Sequence, residues 1–316
     1  MNLNRLSMAA AAVLTCLFAS DAGSAEPKVV ATIKPLHALA SGVMAGIATP
    51  TLLVRGKGSE HGYALKPSEV KALGQADLIV WIGESLETFM TKPLGTLPKK
   101  VRVLEVAAID GLKLLKPREG GVWDGHDHHG HVKKPAAKHD HKDEIDGHVW
   151  LDIDNAKLIA HAIARTLGEI DSVNRAAYER NATSVSDGLD ELDAELMSRL
   201  APIKGQPFIV FHDAYQYLEQ RYGLAAAGSI AIHPDNKPSA RRLIQLRAKI
   251  TELKARCAFN EPQYNAGLVR TVVEGTPARI GTLDPIGADL AEGPGAYAQM
   301  MGNLATSLTG CLGAAS

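Results

Sequence analysis

The sequence predicts an α/β protein of two similar-sized lobes with mainly parallel sheets, joined by one long rigid helix. Three observations predict it. Short β-branched runs alternate with helical patterns near the start of the chain, and such alternation builds parallel βα units because parallel strands need a crossover between them. The same alternation restarts at Pro207. Between the two blocks an uninterrupted helical period covers residues 174–200, and its mid-chain place, followed at once by a fresh strand, makes it the connector.

In the first lobe, residues 29–33, 51–54, 78–82 and 101–104 read as strands, and 36–46 and 67–73 carry helical spacing. Pro67 stands at a first helical position, where its missing N–H is no loss. A second helical block opens at Asp154-Asn155, whose side chains can cap free backbone N–H groups, with Ile159, Ile163 and Leu167 on one face. In the connector, Val185, Leu189, Leu192, Leu196 and Leu200 recur every three to four residues, and Ala201-Pro202, Gly205 and Pro207 end the run. The second lobe then offers strands at 208–211, 227–232, 258–260 and 279–283, with helices at 239–255 and 267–274. The domain division is therefore an export segment at 1–25, a first lobe at 26–171, a linking helix at 172–202 and a second lobe at 203–316.

The export segment rests on Arg5, an uncharged alanine-rich run at 6–20, and the small residues Gly23-Ser24-Ala25 before Glu26-Pro27, the order a signal peptidase requires. Cleavage is expected after Ala25. The run is shorter than the roughly 20 apolar residues a membrane anchor needs. Cys16 follows Thr15 where a lipoprotein would carry Gly, Ala or Ser. Removal of Cys16 leaves Cys257 and Cys311, an even pair in an oxidising compartment, and these are expected to be bonded. With 46% hydrophobic residues and a formal net charge of −1 over 316 residues, the chain lacks the basic face that nucleic acid or an anionic membrane would favour.

Seven of the twelve histidines, His126, His128, His129, His131, His139, His141 and His148, fall between Trp123 and the end of one aspartate-laced stretch. Imidazole nitrogen suits Zn(II), Cu(II) or Ni(II), and Asp127, Asp140 and Asp143 add negative charge. The His-rich loop, placed at 119–146 with His148 just beyond its end, is internal and broken by Lys133, Lys134 and Lys138, unlike a terminal tag. His148, at the close of the tract, is joined by three further residues at or after strand ends: His61, His212 and Asp284. Three imidazoles and one carboxylate make a tetrahedral zinc set, with Zn–N contacts of about 2.0 to 2.1 Å. Glu60, beside His61, competes with Asp284 for the fourth place. Asp152 and Asp213, by adjacency, are candidates to orient the imidazoles. His37, His161 and His233 read as structural.

The segments around His61, His148, His212 and Asp284, the His-rich insertion, the Cys257 and Cys311 pair, and the runs Thr32-Ile33-Lys34-Pro35-Leu36, Lys66-Pro67-Ser68, Asn260-Glu261-Pro262-Gln263 and Leu283-Asp284-Pro285-Ile286-Gly287 resemble the periplasmic zinc-binding proteins of bacterial ABC importers, the ZnuA type within the cluster A-I metal-binding proteins. The resemblance covers nearly the whole mature chain. It implies a monomeric binding protein that captures Zn(II) between its lobes and delivers it to a membrane permease. His61, His148 and His212 match the family's three histidine ligands. Asp284 matches the carboxylate of many members, and Glu60 sits where some zinc members use glutamate. Manganese-importing relatives carry glutamate at the position of His212, so nitrogen there favours zinc. The tract histidines would then be auxiliary metal handlers.

An enzyme is the competing class, since three histidines around zinc also build hydrolases when water holds the fourth position. The sequence has no H-E-x-x-H, G-x-S-x-G or G-x-x-x-x-G-K-[ST] pattern. A secreted metal buffer or adhesin is the third class. Binding through histidine is expected to weaken below about pH 6.5, where imidazole takes up its proton.

Overall fold

The computed structural model describes residues 26–118, 145–231, 234 and 238–313. The export segment with its cleavage site, the tract histidines His126, His128, His129, His131, His139 and His141, and His233 lie outside the described residues.

Two four-stranded sheets carry the fold. The first is formed by β1 (Val29–Ala31), β2 (Thr51–Leu52), β3 (Leu78–Trp81) and β4 (Arg102–Glu105), in the order β2-β1-β3-β4. The second is formed by β5 (Pro207–Val210), β6 (Ala225–Ser229), β7 (Cys257–Asn260) and β8 (Arg279–Thr282), in the order β6-β5-β7-β8. Every pairing is parallel. Each strand falls within three residues of its expected place, β6 being the most displaced and β2 shortened to a two-residue pair.

The helices are α1 (Lys34–Val43), α2 (Pro67–Gln75), α3 (Thr91–Leu94), α4 (Ile153–Ile170), α5 (Arg175–Leu200), α6 (Gln216–Tyr222), α7 (Ala240–Glu252), α8 (Gly267–Val273) and α9 (Ala296–Leu312). The connector α5 runs for 26 residues, a span of about 39 Å at 1.5 Å per residue. Helices α3, α6 and α9 have no counterpart in the sequence reading. Several boundaries also shift, α7 among them, which ends at Glu252 three residues short of its expected end. Helix α1 starts two residues early because Pro35 falls in its first turn, and it stops before Gly46, whose φ of 77° belongs to the left-handed region. Helix α4 is capped by Asp152, not by Asp154-Asn155: Asp152 is the extended residue, and its carboxylate accepts the Asp154 N–H at 2.9 Å. The Asn155 side chain instead binds both backbone groups of Lys113.

Strand alternation divides the apolar side chains between layers. Val29, Ala31, Leu78 and Val80 enter one cluster, and their neighbours Val30, Ile79 and Trp81 enter another on the opposite face of the sheet. In the second sheet Phe208 and Val210 join the first of these clusters, while Ile209 and Phe211 pack under α7 and α8 with Leu246, Ile250, Val269 and Val272. The inner faces of both sheets thus share one core, filled by α1, α4, α5 and α9. Leu189, Leu192, Leu196 and Leu200 of the connector are buried in it, as the spacing anticipates, and Tyr178 and Ala182 extend that stripe.

Cys257 on β7 and Cys311 on α9 form the expected disulfide, S–S 2.08 Å, across a separation of 54 residues. Closing a loop of that length stabilises the native state by about 4 kcal/mol in the chain-entropy account. It ties the C-terminal helix to the second sheet. Among the described residues no helix is long and apolar enough to cross a membrane.

Candidate metal centre

The carboxyl ends of both sets of parallel strands face one cleft, the place where open α/β sheets bind ligands. After β2 the chain turns at Gly56, φ 59°, and presents Glu60 and His61. After β5 it presents His212. His148 arrives from the end of the His-rich insertion, just before a single 3-10 turn over Val149–Leu151 that leads into α4. Gly147 beside it is required by space, because a Cβ there would stand 2.7 Å from the Cβ of Leu86.

The three imidazoles form a nearly equilateral triangle, with ring centroids 5.2, 5.2 and 5.3 Å apart. Their Nε2 atoms turn inward: His212 Nε2 lies 3.4 Å from that of His61 and 3.2 Å from that of His148. The Oε1 of Glu60 stands over the triangle at 3.9 Å from His61, 4.0 Å from His148 and 3.9 Å from His212. A tetrahedron with bonds of 2.0 Å has edges of about 3.3 Å, so His212 Nε2 already sits at ligand separation from both other nitrogens, and Glu60 needs to approach by about half an ångström. Side-chain exposure is 16% for His61 but 5%, 2% and 1% for His148, His212 and Glu60.

The outer nitrogens explain why the inner ones face the centre. His148 Nδ1 lies 2.7 Å from Asp146 Oδ1, and His212 Nδ1 lies 2.7 Å from Glu261 Oε2. Each carboxylate holds a proton on Nδ1 and leaves the Nε2 lone pair for an ion. Both carboxylates are fixed in turn: Gln216 Nε2 donates to Asp146 Oδ2 at 3.0 Å, and the Tyr215 hydroxyl donates to Glu261 Oε1 at 3.2 Å.

These orienting groups are not the ones the sequence suggested. Asp213 receives the Arg118 guanidinium, and Asp152 caps α4 and receives Arg221. Adjacency misleads here because both carboxylates are already engaged, Asp213 by Arg118 and Asp152 by the first turn of α4 and Arg221. Asp146 and Glu261 were both missed, although each leaves a trace: an acid two positions before His148, and an acid just past the end of β7.

Asp284 does not join the convergent group, which comprises Glu60, His61, His148 and His212. Its oxygens are taken by Gln263 Nε2 at 2.9 Å and by the backbone N–H groups of Ile286, Gly287 and Ala288 at 3.3, 3.0 and 2.6 Å. The expected strand-end carboxylate therefore shapes its own turn, and Glu60 takes the place over the histidines.

Both Glu60 oxygens are buried with no hydrogen-bond partner among the described residues. Burial pushes its carboxyl up from the ordinary range, against the pull of His212 and His148. For His212, burial favours the neutral form, yet the charge and hydrogen bond of Glu261, with Glu60 and Asp213, outweigh it and push the imidazole up to about 9. Three inward Nε2 atoms beneath a buried carboxylate that has no hydrogen-bond partner among the described residues are an arrangement that a cation completes by displacing the His212 proton.

The fold and the site together define a two-lobed α/β protein with a nitrogen-rich divalent-metal site between its lobes. The family model described as "Zinc-uptake complex component A periplasmic", ZnuA, matches residues 29–311. The chain belongs to that family. A high-affinity zinc uptake system protein ZnuA of Brucella abortus is 46% identical over 331 residues, covering 98% of this chain and 99% of the relative. A protein of the same description from Yersinia pestis is 31% identical, covering 94% of each chain. A crystal structure of ZnuA superposes with a TM-score of 0.75 at 24% identity, covering 91% of this chain and 99% of that one.

Proposed function

We propose that this chain is an exported, monomeric carrier that captures Zn(II) between lobes at 26–171 and 203–316, bridged by the helix at 172–202, and hands it to an ABC permease. The reading places the protein in the periplasm after cleavage behind Ala25. His61, His148 and His212 supply three neutral nitrogens, and Glu60 supplies the fourth, anionic contact. The observation that carries this reading is the inward Nε2 triangle, 3.2 and 3.4 Å along two edges, beneath the equidistant Glu60 oxygen. A three-nitrogen, one-oxygen set suits zinc better than the harder ions Mg(II), Ca(II) and Mn(II). With Glu60 closing the shell, no position is left for an activated water, which favours carriage over hydrolysis.

Two ligands come from the loop after β2, one from just before the 3-10 turn that precedes α4 and one from the end of β5, so binding draws the two halves of the cleft together. The family description of zinc uptake and periplasm supports the same reading. The test is a competitive-chelator zinc titration on protein lacking residues 119–144. One tight zinc retained supports the cleft site with an auxiliary tract; loss of tight binding moves the primary site into the tract and overturns the reading.

A further inference from the structure

We propose that Tyr264 is a positioning residue that latches the Glu60-His61 loop onto the second lobe and thereby sets how slowly the ion leaves. The argument starts from Ser59, which immediately precedes the two ligands. Its Oγ lies 2.8 Å from the Tyr264 hydroxyl, across 205 positions of sequence and across the cleft. The same Oγ accepts the backbone N–H of His61 at 3.2 Å. Hydroxyl, Oγ and amide therefore form one chain from the second lobe to the backbone of a ligand on the first.

The anchored end is firm. The Tyr264 ring stacks on Phe211, centroids 4.8 Å apart and planes 7° from parallel, and stands edge-on to His212 at 6.1 Å. Phe211 is buried in the cluster under α7 and α8, and Tyr264 packs against that cluster. One side chain thus touches the loop that bears Glu60 and His61 and also flanks the imidazole that comes from the opposite sheet. His61 is the most exposed of the four converging residues. An ion leaving by that side must displace the loop, and displacing the loop breaks the Ser59 to Tyr264 contact.

The latch holds the loop against the second lobe, so it opposes the opening by which the ion departs. A hydrogen bond of this kind contributes about 0.7 to 1.4 kcal/mol, which corresponds to a release rate changed about three- to tenfold. The inference rests on the zinc reading above.

The experiment is chelator-triggered zinc release from the full mature chain, followed by stopped flow, with the association rate measured separately. Tyr264→Phe keeps the stack on Phe211 and removes only the hydroxyl; Ser59→Ala removes the other partner. Each is expected to release zinc about three- to tenfold faster with association within about twofold of the parent, and the double variant is expected to be no faster than Ser59→Ala alone. Release by Tyr264→Phe at the parent rate, or effects that multiply in the double variant, overturns the latch. A parent protein that holds no tight zinc overturns the zinc reading along with it, whereas a parent that holds zinc and variants that release it at the parent rate overturn the latch alone.

Discussion

Gln263 donates to Asp284 across 2.9 Å and fixes the carboxylate in its own turn, where three backbone N–H groups also converge. A carboxylate with four donors has little left for an ion. Glu60, by contrast, has no donor among the described residues. Glu60→Gln is therefore expected to weaken zinc binding about 100-fold or more, because it replaces an anionic ligand with a neutral one at a buried cation site. Asp284→Asn is expected to leave affinity within about tenfold and to lower thermal stability by the roughly 1 to 3 kcal/mol of an impaired buried network. Chelator competition and thermal melts on both variants decide it, and the reverse order of affinities would restore Asp284 as the ligand.

Glu261 and Asp146 are expected to matter to affinity without touching the ion. Each fixes the tautomer of a ligand imidazole through a 2.7 Å contact. Removing such an orienting carboxylate typically costs 10- to 100-fold in metal affinity. Glu261→Gln keeps the shape and loses the charge that raises His212. Its zinc affinity, set beside that of Asp146→Asn, measures the effect, and wild-type affinity in both would sink the assignment.

The pH dependence of binding lies higher than the sequence suggests. An isolated imidazole releases its proton near 6.5, but His212 holds its proton up to about 9. Zinc must displace that proton, so affinity is expected to keep climbing from pH 6.5 to about 9, by at most about tenfold per unit for one proton. The sign for folding is opposite. A histidine whose folded pKa is raised contributes stability that is fully present below the unfolded value near 6.5 and is lost as pH rises through 9. The metal-free protein should therefore lose this contribution over the range in which zinc binding strengthens. A zinc affinity flat from pH 7 to 9 would contradict it.

Much of this was legible because strands and amphipathic helices write their period into the chain. Val29 to Ala31 and Leu78 to Trp81 announce themselves as β-branched runs, and the leucines of α5 repeat on one face. Helix α9 carries a period too, in Tyr297, Met300, Met301, Leu304, Leu308 and Leu312, but Gly302, Gly310, Thr306, Ser307 and Thr309 give it poor intrinsic propensity and the sequence reading has no counterpart for it. Packing on α1 and α5 and the bond from Cys311 override that propensity. Helix α6 has only seven residues, too few for a period to emerge. The three histidines were legible chiefly from the resemblance of their local segments to the family's, since position at a strand end applies to His212 but not to His148. The fourth group was not, because choosing between Glu60 and Asp284 depends on which backbone amides each carboxylate meets. Asp284 meets amides two to four residues ahead of it, a local capture typical of Asp before a tight turn.

Lys34 is expected to hold the two lobes in register. Its buried Nζ donates to the carbonyls of Gly287, Ala288 and Leu290 at 2.7, 2.8 and 2.6 Å, more than 250 residues away in sequence. Burial pushes the ammonium down from its ordinary range, with Asp284, Glu292 and Asp289 opposing. The same loop gives its amides to Asp284 and its Pro285 carbonyl to Trp150 Nε1 at 2.8 Å, so its geometry is fixed from both sides. Lys34→Met removes three charge-assisted bonds and leaves three carbonyls short of donors, a loss of about 3 kcal/mol. Lys34→Arg is expected not to restore it, because a planar fork cannot place one nitrogen among three converging carbonyls. Denaturant unfolding of the metal-free protein measures both, and an Arg variant as stable as the parent would show that charge alone, not the point geometry of the ammonium, joins the lobes.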